Sequence, residues 1–418
     1  MGAEEFLGAT LARGFAPDSV QWPLVRSSIL FELRYGKALV ETSRRPGPVP
    51  VFGTNGRCGS HDTALFAGPG VVCGRKGQGP LGVEWVDSDY WVIDTAYSLR
   101  PLRDDVDLKF AYYLVKYVGL NHLKDGTSNP SLSRDTFGSQ LFPVPPVPEQ
   151  RAIARILCAL DDKIELNSKM NATLEAMARA LFKSWFVDFD PVRAKSEGRT
   201  PSGMDAETAS LFPSEFVESE LGSIPKGWEA GRIGDVIEIH DSRRVPLSSR
   251  EREQRRGDFP YYGATSVMDY VDAFLFDGRF VLVGEDGSVV TPEGLPFTQY
   301  VWGRFWVNNH AHVLTGVRGF SQEHLFLLFQ QTNIAAYVTG AVQAKLSQGN
   351  MRKIPLVVAP DAVNAKFGSV LDPLFARFRA LTEESRTLAR LRDELLPRLL
   401  SGSLDVGPLV DRQGAGDG

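Results

Sequence analysis

Two heptad-patterned stretches, one 214 residues after the other, constrain this chain more than any other feature. Between residues 149 and 186, steps of three and four select Leu157, Leu160, Ile164, Asn167, Asn171, Leu174, Ala178, Leu181 and Trp185, an unbroken seam. Asp161, Lys163, Glu165, Lys169, Glu175, Arg179 and Lys183 fill the positions between, so a narrow apolar stripe on a polar helix must pack against another helix. Adding 214 to each seam position gives Leu371, Leu374, Phe378, Leu381, Ser385, Leu388, Arg392, Leu395 and Leu399. The chain supplies the partner helix itself, and the fixed interval marks an internal duplication.

The duplication extends to the segments in front of each helix. The first copy begins near Trp22 and the second near Trp228, each followed by a loop carrying bases: Arg34 and Lys37 in one, Arg243 and Arg244 in the other. Gly53, Leu65, Gly68, Gly74 and Gly77 fall opposite Gly263, Leu275, Gly278, Gly284 and Gly287, and Trp91 falls opposite Trp306. The β-rich runs VVCG and FVLVG each enter a glycine-bearing turn, which predicts a curled sheet with polar loops. A short helix follows in each copy, then a loop in which Gly126, Leu132 and Ser133 match Gly340, Leu346 and Ser347. A proline-bracketed strap, FPVPPVPEQ or IPLVVAPD, runs into each long helix, and Pro148 and Pro360 suit the first helical turn, where a missing N–H costs nothing.

A chain of 418 residues implies two or more domains. No apolar run reaches the roughly 20 residues that span a bilayer, and the N-terminus lacks a basic region followed by an apolar core, so the reading is cytoplasmic with no membrane partner. Cys58, Cys73 and Cys158 lie far apart with no C-x-x-C pair, which argues against a disulfide framework or a zinc site. The net charge of −5 looks unsuited to nucleic acid, but residues 188–223 alone hold eight acids against three bases. That places the excess acid in a connector, while residues 22–148 come to +2 and residues 224–360 to zero.

Catalytic signatures are weak. Gly77 to Gly82 satisfies G-x-G-x-x-G, but Pro80 interrupts it and the following VEWV reads as a strand rather than the helix a pyrophosphate site needs. Asn129-Pro130 resembles the start of an amino-methyltransferase motif, yet Ser131-Leu132 removes the aromatic that would stack on a base. His310 and His312 lack a third ligand at a telling spacing and read as structural. No phosphate loop, H-E-x-x-H or G-x-S-x-G is present. The chain reads as non-catalytic, with no metal site.

What remains is the polar equipment of the loops: Asn55, Arg57, Arg75, Lys76, Gln78, Ser128, Asn129, Ser131 and Arg134 in the first copy. The second copy has Thr265, Ser266, Glu285, Asp286, Ser288, Gln343, Lys345, Ser347, Gln348 and Asn350. These are side chains suited to base edges, with Arg or Lys for guanine, Asn or Gln for adenine and acids for cytosine. With Arg34, Lys37, Arg243 and Arg244 they form the candidate DNA-binding set. Framework positions match between copies while loop chemistry differs, Arg75-Lys76 against Glu285-Asp286, so two copies of one reader would see different sequences.

The whole chain resembles the specificity subunit of type I restriction-modification systems. The resemblance rests on PVPPVPEQRAIA, on ALDDKIELNSKMNATLEAMARALFKSWFVDFDP, on the LRYGKAL turn and on the two-copy order. It implies two α/β target recognition domains, each reading one half of a split double-stranded DNA target. It also implies that the long helices pair antiparallel as a spacer and dock methyltransferase subunits, with restriction subunits joining the assembly. S-adenosylmethionine, ATP and Mg2+ are then expected on partner subunits and none in this chain. Two departures weaken the second copy: DAVN replaces the EQRA start, and the WFVDFD extension has no counterpart after Leu400, so the methyltransferase contact is placed at the first helix. The expected fold is α+β, with recognition domains at 1–148 and 224–360, long helices at 149–187 and 361–402, an acidic linker at 188–223 and a disordered tail at 403–418. The other readings are a standalone DNA-binding regulator or a coiled-coil scaffold, and, third, a free-standing enzyme.

Overall fold

The computed structural model describes residues 9–340, 343–408 and 410. They form two compact units, one of residues up to 167 together with 383 onward, the other of residues 168–382. Each long helix contributes to both units. The first runs over Val147–Phe182 and ends in a π-helical turn at Lys183–Val187; the second runs over Asp361–Ser401.

In the first unit, Phe31–Tyr35, Ala96–Pro101, Gly70–Gly74 and Val83–Val86 form an antiparallel sheet in that spatial order. A second sheet pairs the hairpin Val49–Gly53/Gly56–His61 with the short strand Trp91–Val92. A third joins Thr10–Leu11, Gln140–Pro143 and Leu24–Arg26. Helix Leu108–Val118 starts at Asp107, whose carboxylate accepts the N–H groups of Lys109 and Phe110 and so satisfies two of the donors a helix start leaves open. Its buried face, with Phe110 and Leu114, meets Val71 and Leu99 of the sheet, Ile153 and Leu157 of the first long helix and Leu399 of the second.

The second unit repeats the plan. Ile237–Ile239, Ala311–Gly316, Phe276–Gly284 and Thr298–Val307 take the order of the first sheet, and Arg256–Tyr262 with Val267–Val271 extend it to six strands, whereas the corresponding hairpin of the first unit stands in a separate sheet. Glu229–Arg232 pairs with Pro355–Val358, and helix Gln322–Phe329 covers the sheet from a Ser321 cap. A parallel contact recurs at the corresponding tryptophans, Val51 with Trp91 and Tyr261 with Trp306.

The helices pair antiparallel within each unit, because the partner's number falls as the helix residue's rises. Asp161 meets Arg392 at 2.7 Å and Asn167 meets Glu384 at 2.9 Å in the first unit; Asn171 meets Thr382 at 2.9 Å and Phe182 packs on Phe367 in the second. Every seam position is buried or half-buried: Leu157, Leu160, Ile164, Leu174, Leu181 and Trp185 on one helix, Leu374, Phe378, Leu381, Leu388, Leu395 and Leu399 on the other. Among the described residues no helix is long and apolar enough to cross a membrane.

Each long helix is pinned at its start by a buried amide. Gln150 Nε2 donates to the carbonyls of Asp105 and Pro145, and its Oε1 accepts from Asp107 N–H. Asn364, 214 positions on, donates to the carbonyls of Arg318 and Ala359. The DAVN segment therefore keeps the amide that EQRA supplies, which the sequence comparison missed. Pro148 lies in the first turn as expected, whereas Pro360 sits one residue ahead of Asp361.

Two expectations about connecting segments need correction. Residues 188–223 are not a linker outside the repeats: they form helices Asp190–Ser196 and Ala206–Ser210 and the hairpin Phe216–Ser219/Gly222–Pro225. Phe189, Val192, Phe212 and Ile224 are buried, the first three with Trp185 and Trp228 in the second unit's core. Apolar anchors thus hold a segment whose composition is dominated by acids. Likewise Val406 is buried against the first core with Leu404 and Val410 beside it, so the presumed disordered tail is packed up to that point; residues 409 and 411–418 lie outside the described residues.

Two measurements check this packing. Gln150→Ala leaves one buried donor and two carbonyls without partners and is expected to cost about 3 kcal/mol of stability in urea unfolding; a loss below about 0.5 kcal/mol refutes the pinning role. His324 is buried between Phe320 at 4.1 Å, Phe186 at 4.6 Å and Phe367 at 4.8 Å, and burial pushes its pKa down to about 3 from 6.5. Folding favours the neutral ring, so its contribution is complete above pH 6.5 and is lost as pH falls toward the folded pKa, by up to about 1.4 kcal/mol per pH unit. His324→Phe should remove that slope in unfolding followed by tryptophan fluorescence between pH 7.5 and 5; parallel pH dependence in variant and parent contradicts it.

Candidate nucleic-acid interface

The candidate side chains sit on a backbone lattice that the two units share. In the first, Arg75 N–H donates to Thr95 O at 2.9 Å, Leu132 N–H to Arg75 O at 2.7 Å and Gly77 N–H to Pro130 O at 3.0 Å. In the second, Glu285 N–H donates to His310 O at 2.8 Å, Leu346 N–H to Glu285 O at 2.8 Å and Gly287 N–H to Ala344 O at 3.0 Å. Gly77 and Gly287 have φ of 134° and 77°, which a side chain would strain, so glycine is required where the sheet strand turns toward the second loop. A side chain closes each lattice on the same carbonyl: Tyr97 Oη donates to Leu132 O at 3.1 Å, and His312 Nε2 donates to Leu346 O at 2.8 Å.

The first unit's site is open and cationic. Arg75 lies over the rings of Tyr35 and Tyr97, 4.9 and 5.6 Å from their centroids, with Nη1 donating to Asp94 O at 2.9 Å and Nε buried without a partner. Arg134 lies over the same Tyr35 ring at 4.8 Å. Lys76 pairs with Asp94 at 3.1 Å. Gln78 bridges to the carbonyls of Thr127 and Ser128, so Ser128, the exposed Asn129 and the half-buried Ser131 are held beside the glycine loop. Arg34 points away from this group: strand alternation puts Tyr35, not Arg34, on the Arg75 face, and Arg34 pairs with Glu32 at 2.7 Å. Lys37 is exposed, its carbonyl accepting Trp91 Nε1–H, and Asn55 and Arg57 belong to the tip of the hairpin Val49–Gly53/Gly56–His61.

The second unit's site is ion-paired. Arg244 is 11% exposed and reaches Glu285 at 2.7 Å and Asp241 at 3.3 Å, so it is an internal anchor rather than an exposed base. Asp241 also meets His312 Nδ1 at 2.6 Å, Val313 N–H at 2.9 Å and Gln348 Nε2 at 2.6 Å. Burial alone would raise the Asp241 carboxyl, but the hydrogen bond and charge of His312, the Val313 N–H and the Arg244 charge hold it below its ordinary 3.8. Lys345 reaches Glu285 at 3.4 Å, and Asp286 bonds His310. Ser347 caps the short helix Gln348–Arg352 by accepting Asn350 N–H, and the Asn350 amide donates to Tyr337 O. Thr265 and Ser266 are exposed at a hairpin tip, Ser288 and Gln343 are exposed beside the loops, and Arg243 lies over Phe276 at 4.5 Å with Nη2 on Leu275 O.

Asp241, Glu285 and His312 approach closely enough to hold a cation. The donor set does not suit one: Arg244 already occupies both carboxylates, and the second His312 nitrogen is committed to a carbonyl. The cluster is an internal ion-pair network that fixes the loop, consistent with reading His312 as structural. Sequence reasoning missed Tyr35, Tyr97 and Asp241. Tyr35 stands inside the quoted LRYGKAL turn, and Tyr97 falls opposite His312 once Trp91 is set against Trp306.

The family model for the type I restriction modification DNA specificity domain matches twice, at residues 21–176 and 225–389. The MjaIX type I restriction enzyme specificity subunit of Methanocaldococcus jannaschii is 28% identical over 330 residues, covering 73% of this chain and 71% of that one. The HindI specificity subunit of Haemophilus influenzae is 26% identical over 387 residues, covering 76% and 82%. The crystal structure of a type I restriction-modification S subunit from M. genitalium superposes with a TM-score of 0.58 at 18% identity, covering 94% of this chain and 99% of that one, a likeness of fold. With two matches that take in both repeats and most of both long helices, this chain belongs to the family of type I restriction-modification DNA specificity subunits.

Proposed function

We propose that each unit reads one half of a bipartite duplex sequence, and that the long helices set the gap between the halves and dock methyltransferase subunits. As a specificity subunit the chain is the non-catalytic member of its enzyme. The observation that carries the reading is the shared lattice with exchanged side chains: Arg75 against Glu285, Tyr97 against His312, Arg134 against Gln348. A scaffold that had ceased to discriminate would have no use for two different chemistries on one frame.

Length supports the spacer role. A 36-residue helix extends about 54 Å at about 1.5 Å per residue, enough to separate readers by about one duplex turn, where half-sites lie about 34 to 36 Å apart. Exposed apolar side chains at Leu166 in the first unit and at Met177 and Val187 in the second offer the first helix to a partner subunit. S-adenosylmethionine would then act on the methyltransferase subunits, and ATP and Mg2+ on restriction subunits, in the cytoplasm where the assembly meets DNA.

The test is selection. This chain, assembled with its candidate methyltransferase subunit, is incubated with a random duplex pool, and bound molecules are sequenced. The expected result is a split motif with a fixed gap that shortens when one heptad is removed from each long helix. A single uninterrupted motif, or a gap indifferent to helix length, overturns the two-reader model in favour of a regulator or scaffold; S-adenosylmethionine binding by the isolated chain would revive the free-standing enzyme.

A further inference from the structure

Resting on the recognition reading above, we infer that Arg134 is the guanine-reading residue of the first unit, aimed by Tyr35, and that the position it occupies sets specificity in both units. Ser133 caps the short helix Arg134–Gly138 by accepting Thr136 N–H, and Ser347 caps Gln348–Arg352 by accepting Asn350 N–H. The residue immediately after the cap is Arg134 in one unit and Gln348 in the other. Arginine and glutamine are the two side chains whose paired polar groups match guanine O6/N7 and adenine N6/N7 in the major groove. One backbone position, following one capping geometry, thus presents the two bidentate chemistries.

The surroundings of Arg134 favour a base edge over a phosphate. Arg34, Arg45, Lys76, Arg103 and Arg244 each have a carboxylate within 3.1 Å, whereas Arg134, like Lys37, Arg57, Arg75 and Arg243, has no carboxylate partner among the described residues. Its guanidinium instead lies over Tyr35, a ring 47% exposed and itself set against Tyr97 at 5.1 Å. An aromatic face restricts the tilt of a planar guanidinium while leaving its N–H edge unoccupied, which suits a planar, two-point acceptor. A phosphate contact needs charge but no such aim. Arg75, against the same ring and bonded by one arm to Asp94 O, supports the arrangement and is a positioning residue. In the second unit the corresponding amide is steadied by Asp241 through Nε2.

Three variants of the full chain, each assembled with the methyltransferase subunit, test this by selection from the random duplex pool and by salt titration of binding. Arg134→Ala is expected to make one guanine position of the selected motif degenerate, with discrimination falling about 5- to 150-fold, while the remaining positions persist and certify the fold. Arg134→Gln should move that position toward adenine. Arg134→Lys keeps the charge without the fork and should lose the guanine preference with the salt dependence unchanged. If Arg134→Ala instead weakens all sequences alike, keeps the motif and lowers the salt slope by about one counterion, Arg134 is a phosphate contact and the inference fails. Loss of all binding in Arg134→Ala with an unaltered motif in Arg134→Lys refutes it as well. A parent complex that enriches no motif removes the recognition reading itself and this inference with it.

Discussion

A stripe of leucines on an otherwise charged helix has to be covered, and most of this architecture follows from how that is done. The seam from Leu157 to Trp185 cannot remain in water, where each fully buried leucine gained is worth about 1.5 to 3 kcal/mol. The second helix answers it in antiparallel order. Because the two helices are separated in sequence by a whole folded repeat, closing them against each other draws residues 383 onward into the first unit's core. The compact units therefore do not follow the sequence repeats. Asn167 and Asn171 interrupt the apolar seam at a cost, each leaving a buried Oδ1 without a partner while donating across to Glu384 or Thr382. Such polar positions penalise any sliding of one helix along the other, since a shift would bury the amide donors opposite leucine.

Given fixed helices, each recognition surface can change without disturbing its frame. Main-chain hydrogen bonds from Arg75, Gly77 and Leu132 are reproduced by Glu285, Gly287 and Leu346, and they depend on backbone alone. Side chains on that frame are then exchangeable if the charge they bring is accommodated locally. Where the second unit brings Asp241 and Glu285 into a half-buried loop, it also brings Arg244 and His312; where the first brings Arg75, it brings Tyr35 and Tyr97. The compensation lies within each loop cluster, which is why new recognition chemistry need not cost the fold.

Legibility in the sequence followed the range of the interaction. Both heptads, the fixed intervals, the matched loop serines Ser133 and Ser347 and the paired glycines are local or periodic signals, and they located the repeats, the helices and the loop residues. What failed was long-range. Residues 188–223 read as a linker because eight acids outweigh the spaced apolar residues Phe189, Val192 and Phe212, whose partners Trp185 and Trp228 lie at the segment's two edges. Arg244 counted as a candidate DNA-binding base because nothing nearby in sequence announces Glu285, 41 positions on. The DAVN start looked degraded because Asn364 replaces Gln150 in function while EQRA and DAVN differ letter by letter.

The same distinction bears on how an acidic chain can hold DNA. Among the candidate bases Arg34, Lys76, Arg244 and Lys345 are already paired with carboxylates in the free protein, so a phosphate or base edge would have to displace Asp94 from Lys76 or Glu32 from Arg34 to reach those two. Each such exchange trades one ion pair for another and gains little, as exposed pairs are worth about 0 to 1 kcal/mol to begin with. A guanidinium held by a ring surrenders no ion pair on binding. Arg134 therefore contributes its full hydrogen-bonding capacity, and the chain's net charge of −5 sets the background against which it acts. Discrimination then depends on few contacts of high directional quality rather than on a diffuse positive surface.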